Sequence, residues 1–145
     1  ELKKAAIAQM KDGEPVWFGC DVGKESHRKN GTMDLSAYDL GALFDTTFPM
    51  SKAQRLDYHH SQMTHAMVVQ GVDLKENGEP IRWCVENSWG EDAGAKGMYL
   101  MTDDWFNEYM YQIVVQKKYL TDEVLAAYYS EPIALEPWDP MGSLA

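Results

Sequence analysis

"HAMVVQGVDLKENGEPIRWCVENSWG", residues 65–90, decides the fold. Its first ten residues are apolar and rich in β-branched side chains, the composition of a buried strand. "KENGEP" follows, and Asn77-Gly78 reads as a hairpin turn because both residues tolerate positive φ. "IRWCVENSW" returns as the partner strand. The stretch predicts an antiparallel pair with His65 near the start of one strand and Asn87 near the end of the other. Both lie at the end away from the turn, so two residues distant in sequence become neighbours in space.

That juxtaposition has a chemical use. A histidine acting as a base near neutral pH needs its ring oriented, and a hydrogen bond to the nitrogen facing away from the reacting atom does this. Asn offers a carbonyl oxygen without a charge, so it raises the imidazole pKa less than a carboxylate would. Such a histidine suits a thiol nucleophile, which ionises readily beside an imidazolium. Trp89 sits in a turn-like Asn-Ser-Trp-Gly, an unusual place for the largest aromatic side chain. Two residues past Asn87, its indole can cover the contact and exclude water. Spacing alone also allows a satisfied histidine on a sheet edge and an Asn that merely ends a strand.

Outward from this hairpin, "ELKKAAIAQMKDG" reads as an amphipathic helix ended by Gly13, and "PVWFGCDVG" as a short strand from Pro15 to Gly23. Residues 24–36 are polar and loop-like around Asn30-Gly31. A helix is expected from Ser36, as N-cap, to Phe44, and a second short one after Pro49. "GEDAGAKG" is a Gly-rich loop, and "MYLMTDDWF" and "QIVVQKKYL" read as two further strands. "TDEVLAAYY" reads as a helix capped by Thr121. The proline-rich end, residues 131–145, shows no periodicity and is expected to be extended. Trp17, Trp83, Tyr99 and Trp105 are expected in the core.

At 145 residues the chain is large enough for one domain with a real core. A net charge of −10 repels phosphate backbones, so no nucleic-acid partner is expected. No stretch reaches the roughly 18 apolar residues of a bilayer span, so no membrane partner is expected. No signal peptide is visible, and the chain opens on Glu1 inside a helical pattern, as a fragment or processed chain would. Cys20 and Cys84 sit in apolar runs and read as buried free thiols, which fits a reducing cytoplasm. His59, His60 and His65 with Asp57 lack metal-ligand spacing, so neither metal nor cofactor is expected. The basic run "KESHRKN" reads as a solvated loop.

"THAMVVQGV", then "WCVENSWG", then a Gly-rich loop into "KGMYLM", resembles the C-terminal half of a papain-like cysteine peptidase. "PVWFGCDVGKESHRKNGTMD", "LFDTTFPMSKAQRLDYHHSQMTHAM" and "EPWDPMGSLA" are similar to the bleomycin hydrolase and aminopeptidase C group, and the similarity covers essentially all 145 residues. The resemblance implies an α+β papain-like fold whose barrel-like, antiparallel half spans residues 1–130, with an extended tail over 131–145. It implies His65 as catalytic base and acid, Asn87 as its orienting partner and Trp89 as the shield. It places the nucleophilic Cys and an oxyanion-hole Gln in a missing N-terminal half, since neither Cys20 nor Cys84 has the expected surroundings at a helix N-terminus. It implies peptide substrates with free N-termini, no cofactor and a homo-oligomer, hexameric by resemblance. Ala145, as the terminal carboxylate, would meet the substrate's amino group and enforce aminopeptidase behaviour. The rival readings are a non-catalytic binding or assembly module that keeps the fold, and a metal-dependent hydrolase.

Overall fold

The structure, a computed structural model, describes residues 1–144; Ala145 lies outside the described residues. The 65–90 stretch folds as its pattern predicts. Strand β4 spans His65–Leu74 and β5 spans Pro80–Glu86, paired antiparallel with Val69 opposite Val85. A bulge at Gln70 shifts the register so that Gly71 meets Cys84.

Five more strands complete a curled sheet: β1 (Val16–Cys20), β2 (Ser26–His27), β3 (Thr32–Met33), β6 (Met98–Thr102) and β7 (Met110–Val114). The strand order is β2-β3-β6-β5-β4-β1-β7, with β3 parallel to β6 and the other neighbours antiparallel. Helices are short: α1 (Leu2–Lys11), α2 (Leu40–Phe44), α3 (Lys52–Asp57), α4 (Asp103–Tyr109) and α5 (Asp122–Tyr128). The class is α+β, as the sequence implied.

One face of the sheet carries the core. Strand alternation turns Val16, Phe18 and Cys20 of β1, Met67 and Val69 of β4, Trp83 and Val85 of β5, and Tyr99 and Met101 of β6 inward. Ala6 of α1 and Trp105, Phe106 and Tyr109 of α4 pack into the same cluster. Each large apolar side chain so buried contributes about 1.5–3 kcal/mol. The indole nitrogens need partners: Trp83 donates to Asp103 at 3.2 Å and Trp105 to the Lys24 carbonyl at 2.8 Å. Lys3 reaches the other Asp103 oxygen at 2.6 Å, tying α1 to α4.

Several expectations are corrected. Trp17 is 59% exposed, because the alternation that buries Val16 and Phe18 turns it to the opposite face. Cys84 is exposed for the same reason, between the inward Trp83 and Val85. Trp105 is core but helical: "MYLMTDDWF" is a strand only to Thr102, whose hydroxyl accepts from Trp105 N at 3.3 Å and caps α4. A Thr followed by two acids is a helix start, and that local signal wins over β propensity. Ser36 caps nothing. Its N–H and hydroxyl both donate to Asp34 Oδ1 at 2.9 Å, and Asp39 caps the shorter α2 instead. "QIVVQKKYL" leaves the sheet after Val114 and turns into a 3-10 helix at Lys117–Tyr119. The polar 24–36 loop holds the small β2–β3 hairpin.

The tail has no regular element over 131–136 and then coils into a 3-10 helix at Pro140–Leu144 beside α3, so it is not extended throughout. Asp139 supports that turn by accepting from Met141 N at 2.9 Å. Among the described residues no helix is long and apolar enough to cross a membrane.

Candidate functional site

The β4–β5 register places the site. Val69 faces Val85, so Met67 falls opposite the position of Asn87, and His65 follows two residues back on the same face. His65 and Asn87 therefore stand diagonally across the open end of the hairpin, where the buried face of the sheet reaches its rim. His65 Nε2 lies 2.9 Å from Asn87 Oδ1.

The donor in this contact follows from a third group. The backbone N–H of Ser88 donates to Asn87 Oδ1 at 2.8 Å, which identifies that atom as the oxygen, since an amide NH2 cannot accept. An oxygen facing His65 makes Nε2 the donor. The imidazole is therefore the Nε2–H tautomer, and Nδ1 carries the free lone pair that can take a proton. The Asn87 backbone is itself fixed, its N–H donating to the Gly97 carbonyl at 3.0 Å. Asn87 is buried, and its Nδ2 has no hydrogen-bond partner among the described residues.

Trp89, expected over the His65–Asn87 contact, is half-buried beside the imidazole. Its ring stacks on His65 with centroids 4.9 Å apart and planes 28° apart. Tyr99 meets the same indole edge-on at 6.1 Å, and the Arg28 guanidinium sits 4.7 Å from the indole centroid. The aromatic wall lies against the imidazole whose Nε2 meets Asn87 Oδ1.

A second set of residues holds the other side of His65, and sequence reasoning missed it. Asp21, buried just after β1, accepts from Ser61 Oγ at 2.9 Å, Gln62 N at 3.3 Å and Thr64 Oγ1 at 3.4 Å. Ser61 also bonds the Tyr111 hydroxyl, and Thr64 N donates to the Cys20 carbonyl at 2.9 Å. Asp21 thereby pins the segment that delivers the chain to His65. No local pattern marks it, because its partners lie some forty residues away.

Cys20 stands opposite His65 in the β1–β4 register, yet it is fully buried. Burial, and then the charge of Asp21, push its thiol far above the ordinary range, which disfavours the thiolate. His59 and His60 are exposed in the turn after α3. No group of three or more His, Cys, Asp or Glu among the described residues is placed to share a metal ion. Ala145, the expected carboxylate, lies outside the described residues.

Comparison with known proteins gives the family of the chain. The sequence pattern of the Peptidase C1-like family matches residues 1–142. Aminopeptidase C of Lactococcus lactis subsp. lactis (strain IL1403) is 58% identical over 144 residues, covering 99% of this chain and 33% of that protein. Bleomycin hydrolase of Mus musculus is 52% identical over 147 residues, covering 99% and 32%. The crystal structure of pepw from Lactobacillus rhamnosis superposes with a TM-score of 0.91 at 52% identity, covering 99% of this chain and 33% of that one. The chain spans about a third of the length of the curated relatives it matches.

Proposed function

Since the chain belongs to the Peptidase C1-like family, we propose that it is the His- and Asn-bearing portion of a cysteine aminopeptidase that removes N-terminal residues from peptides. The observation that carries this reading is the oriented imidazole: Nε2–H committed to Asn87 Oδ1, Nδ1 unspent, and the ring backed by Trp89.

A thiolate supplied by the N-terminal half of the same enzyme attacks the peptide carbonyl carbon. As the C–N bond breaks, the leaving amine takes the proton from Nδ1 of the His65 imidazolium. Neutral His65 then takes a proton from water, whose oxygen attacks the thioester, and the thiolate leaves. Asn87 holds the ring through both proton transfers without trapping it as the cation. The unpaired, buried Nδ2 of Asn87 supports a missing half, since a buried amide calls for an acceptor. Cys20 and Cys84 are free thiols, one inert through burial, and a reducing cytoplasm suits both.

The aminopeptidase mode is assigned to the tail. The reading rests on the resemblance; residues 140–144 lie beside α3, and Ala145, which would carry the chain-end carboxylate, lies outside the described residues. Substrates with free N-termini and a hexameric assembly belong to the same reading, and no cofactor is required by it.

Hydrolysis of an aminoacyl fluorogenic amide tests the proposal. The chain alone is expected to show none, and joining it to the N-terminal half to restore turnover that a thiol alkylator abolishes. Thiol-sensitive turnover by the 145 residues alone would show the nucleophile to be misplaced. A full-length protein with no turnover would leave the non-catalytic module.

A further inference from the structure

The basic run at residues 24–30 is not merely solvated. Gly31 and Gly94 lock it to the loop that carries Trp89: a Cβ on Gly31 would fall 2.7 Å from Gly94 Cα, and one on Gly94 would fall 2.4 Å from the Met98 carbonyl oxygen. Both have positive φ, so only glycine allows this approach. The Arg28 carbonyl then accepts from Gly94 N at 3.1 Å and from the Tyr99 hydroxyl at 3.1 Å. This double anchor fixes the backbone of Arg28 and sets its guanidinium over the indole that stacks on His65. A groove of about 260 Å³ opens there, lined by Arg28, Lys29, Trp89, Asp92 and Ala93. Asp92 shares the groove, but no ion pair joins it to either cation among the described residues. A chain of net charge −10 thus presents two cations, neither in an ion pair among the described residues, in the groove beside Trp89.

We propose that Arg28 is a specificity-determining residue that binds a carboxylate on the residue released from the leaving side of the scissile bond. The inference rests on the proposed function, because the group that accepts the proton from His65 is the leaving amine. The residue bearing that amine lies on the His65 side of the site, and the next groups along it are one residue step away, about 3.8 Å between α-carbons. The guanidinium stands 4.7 Å from the centroid of the indole, whose centroid is 4.9 Å from that of the imidazole, so a carboxylate must reach past the leaving Cα to meet it, and a planar fork held over an aromatic face is preorganised for that contact. That carboxylate has two sources: the α-carboxylate of a dipeptide, or an acidic side chain on the leaving residue of a longer peptide.

The full-length enzyme is assayed with two substrate pairs sharing one N-terminal residue: the dipeptide ending in Ala against its C-terminal amide, and the dipeptide amide ending in Glu against the one ending in Gln. The carboxylate member of at least one pair is expected to be favoured about tenfold in kcat/KM, equivalent to about 1.4 kcal/mol. The preference is expected to fall towards one in Arg28→Gln and to survive in part in Arg28→Lys. Preference in the first pair alone assigns the α-carboxylate, and in the second alone the side chain. Should Arg28→Gln not fold, the wild-type preference must still shrink as salt rises. Ratios near one in both wild-type pairs, ratios unchanged in Arg28→Gln, or insensitivity to salt would overturn the assignment while leaving the peptidase intact. No wild-type turnover of any of the four would bring down the proposed function and this inference with it.

Discussion

At the scale of single residues, the site turns on the amide of Asn87. Its oxygen serves two donors, Ser88 N–H and His65 Nε2–H, and both would be orphaned by truncation. Asn87→Ala in the full-length enzyme is expected to lower kcat/KM about 10–100-fold, at the low end of what general acid–base catalysis is worth, because the base remains but is no longer aimed. Asn87→Asp makes a different prediction. A carboxylate beside the imidazole favours its cation, so the basic limb of the pH–kcat/KM profile should move to higher pH. An unmoved profile would show that Asn87 does not touch the titrating histidine. The two thiols differ equally sharply. Cys84 is exposed, whereas burial raises the Cys20 thiol. One equivalent of alkylator should react quickly at neutral pH with the folded chain, at Cys84, and a second only after denaturation. Rapid native labelling of Cys20 would contradict its placement.

At the scale of elements, the 58–64 segment between α3 and β4 decides where the imidazole lands. Asp21→Ala leaves Gln62 N–H short of its acceptor and leaves Ser61 and Thr64 only the Tyr111 hydroxyl and the Cys20 carbonyl, at a cost of about 1–3 kcal/mol if the Asp21 acceptor is not replaced. Urea unfolding should report that loss, and kcat should fall with it while KM changes little. A full kcat in a destabilised variant would limit Asp21 to folding. Upstream, α3 is started by a capping box between Ser51 and Gln54, and its Lys52 donates to the carbonyls of Asn107 at 2.9 Å and Met110. Burial, then the charges of Arg55 and Lys3, bring the Lys52 ammonium down to about 8 from an ordinary 10.5. Between those values the unfolded state binds the extra proton, so this group's contribution to stability rises with pH across the window. The thermal midpoint of the wild type relative to Lys52→Met should climb from pH 8 to 10.5. A flat difference would mean that Lys52 is solvated.

At the scale of the whole molecule, the sheet has one filled face and one open one. Trp17 and Val114 stand opposite each other on β1 and β7, exposed, with Leu100 and Cys84 on the same outer side. An apolar face of this kind is expected to bind a hydrophobic dye in the isolated chain and to lose that binding in the full-length protein. Equal binding in both would show that nothing covers it. Local chemistry made the β4–β5 hairpin, helices α1, α3 and α5 and the His65–Asn87 meeting legible, because strand periodicity, turn residues and caps act over a few residues. The same local rules contained the start of α4 at Thr102-Asp103-Asp104, where a cap signal was read as strand. Trp17, Cys84, Asp21 and Arg28 were not legible. Which side of β1 or β5 faces the core depends on what packs there, and the partners of Asp21 and Arg28 arrive from distant strands and loops. By itself the amino-acid order determined the elements and the identity of the imidazole and its amide, since propensity and period are short-range. Only the tertiary structure decided which indole is buried, which nitrogen of His65 is left to react and which cation stands over Trp89, since register and long-range hydrogen bonds exist only once the sheet is assembled.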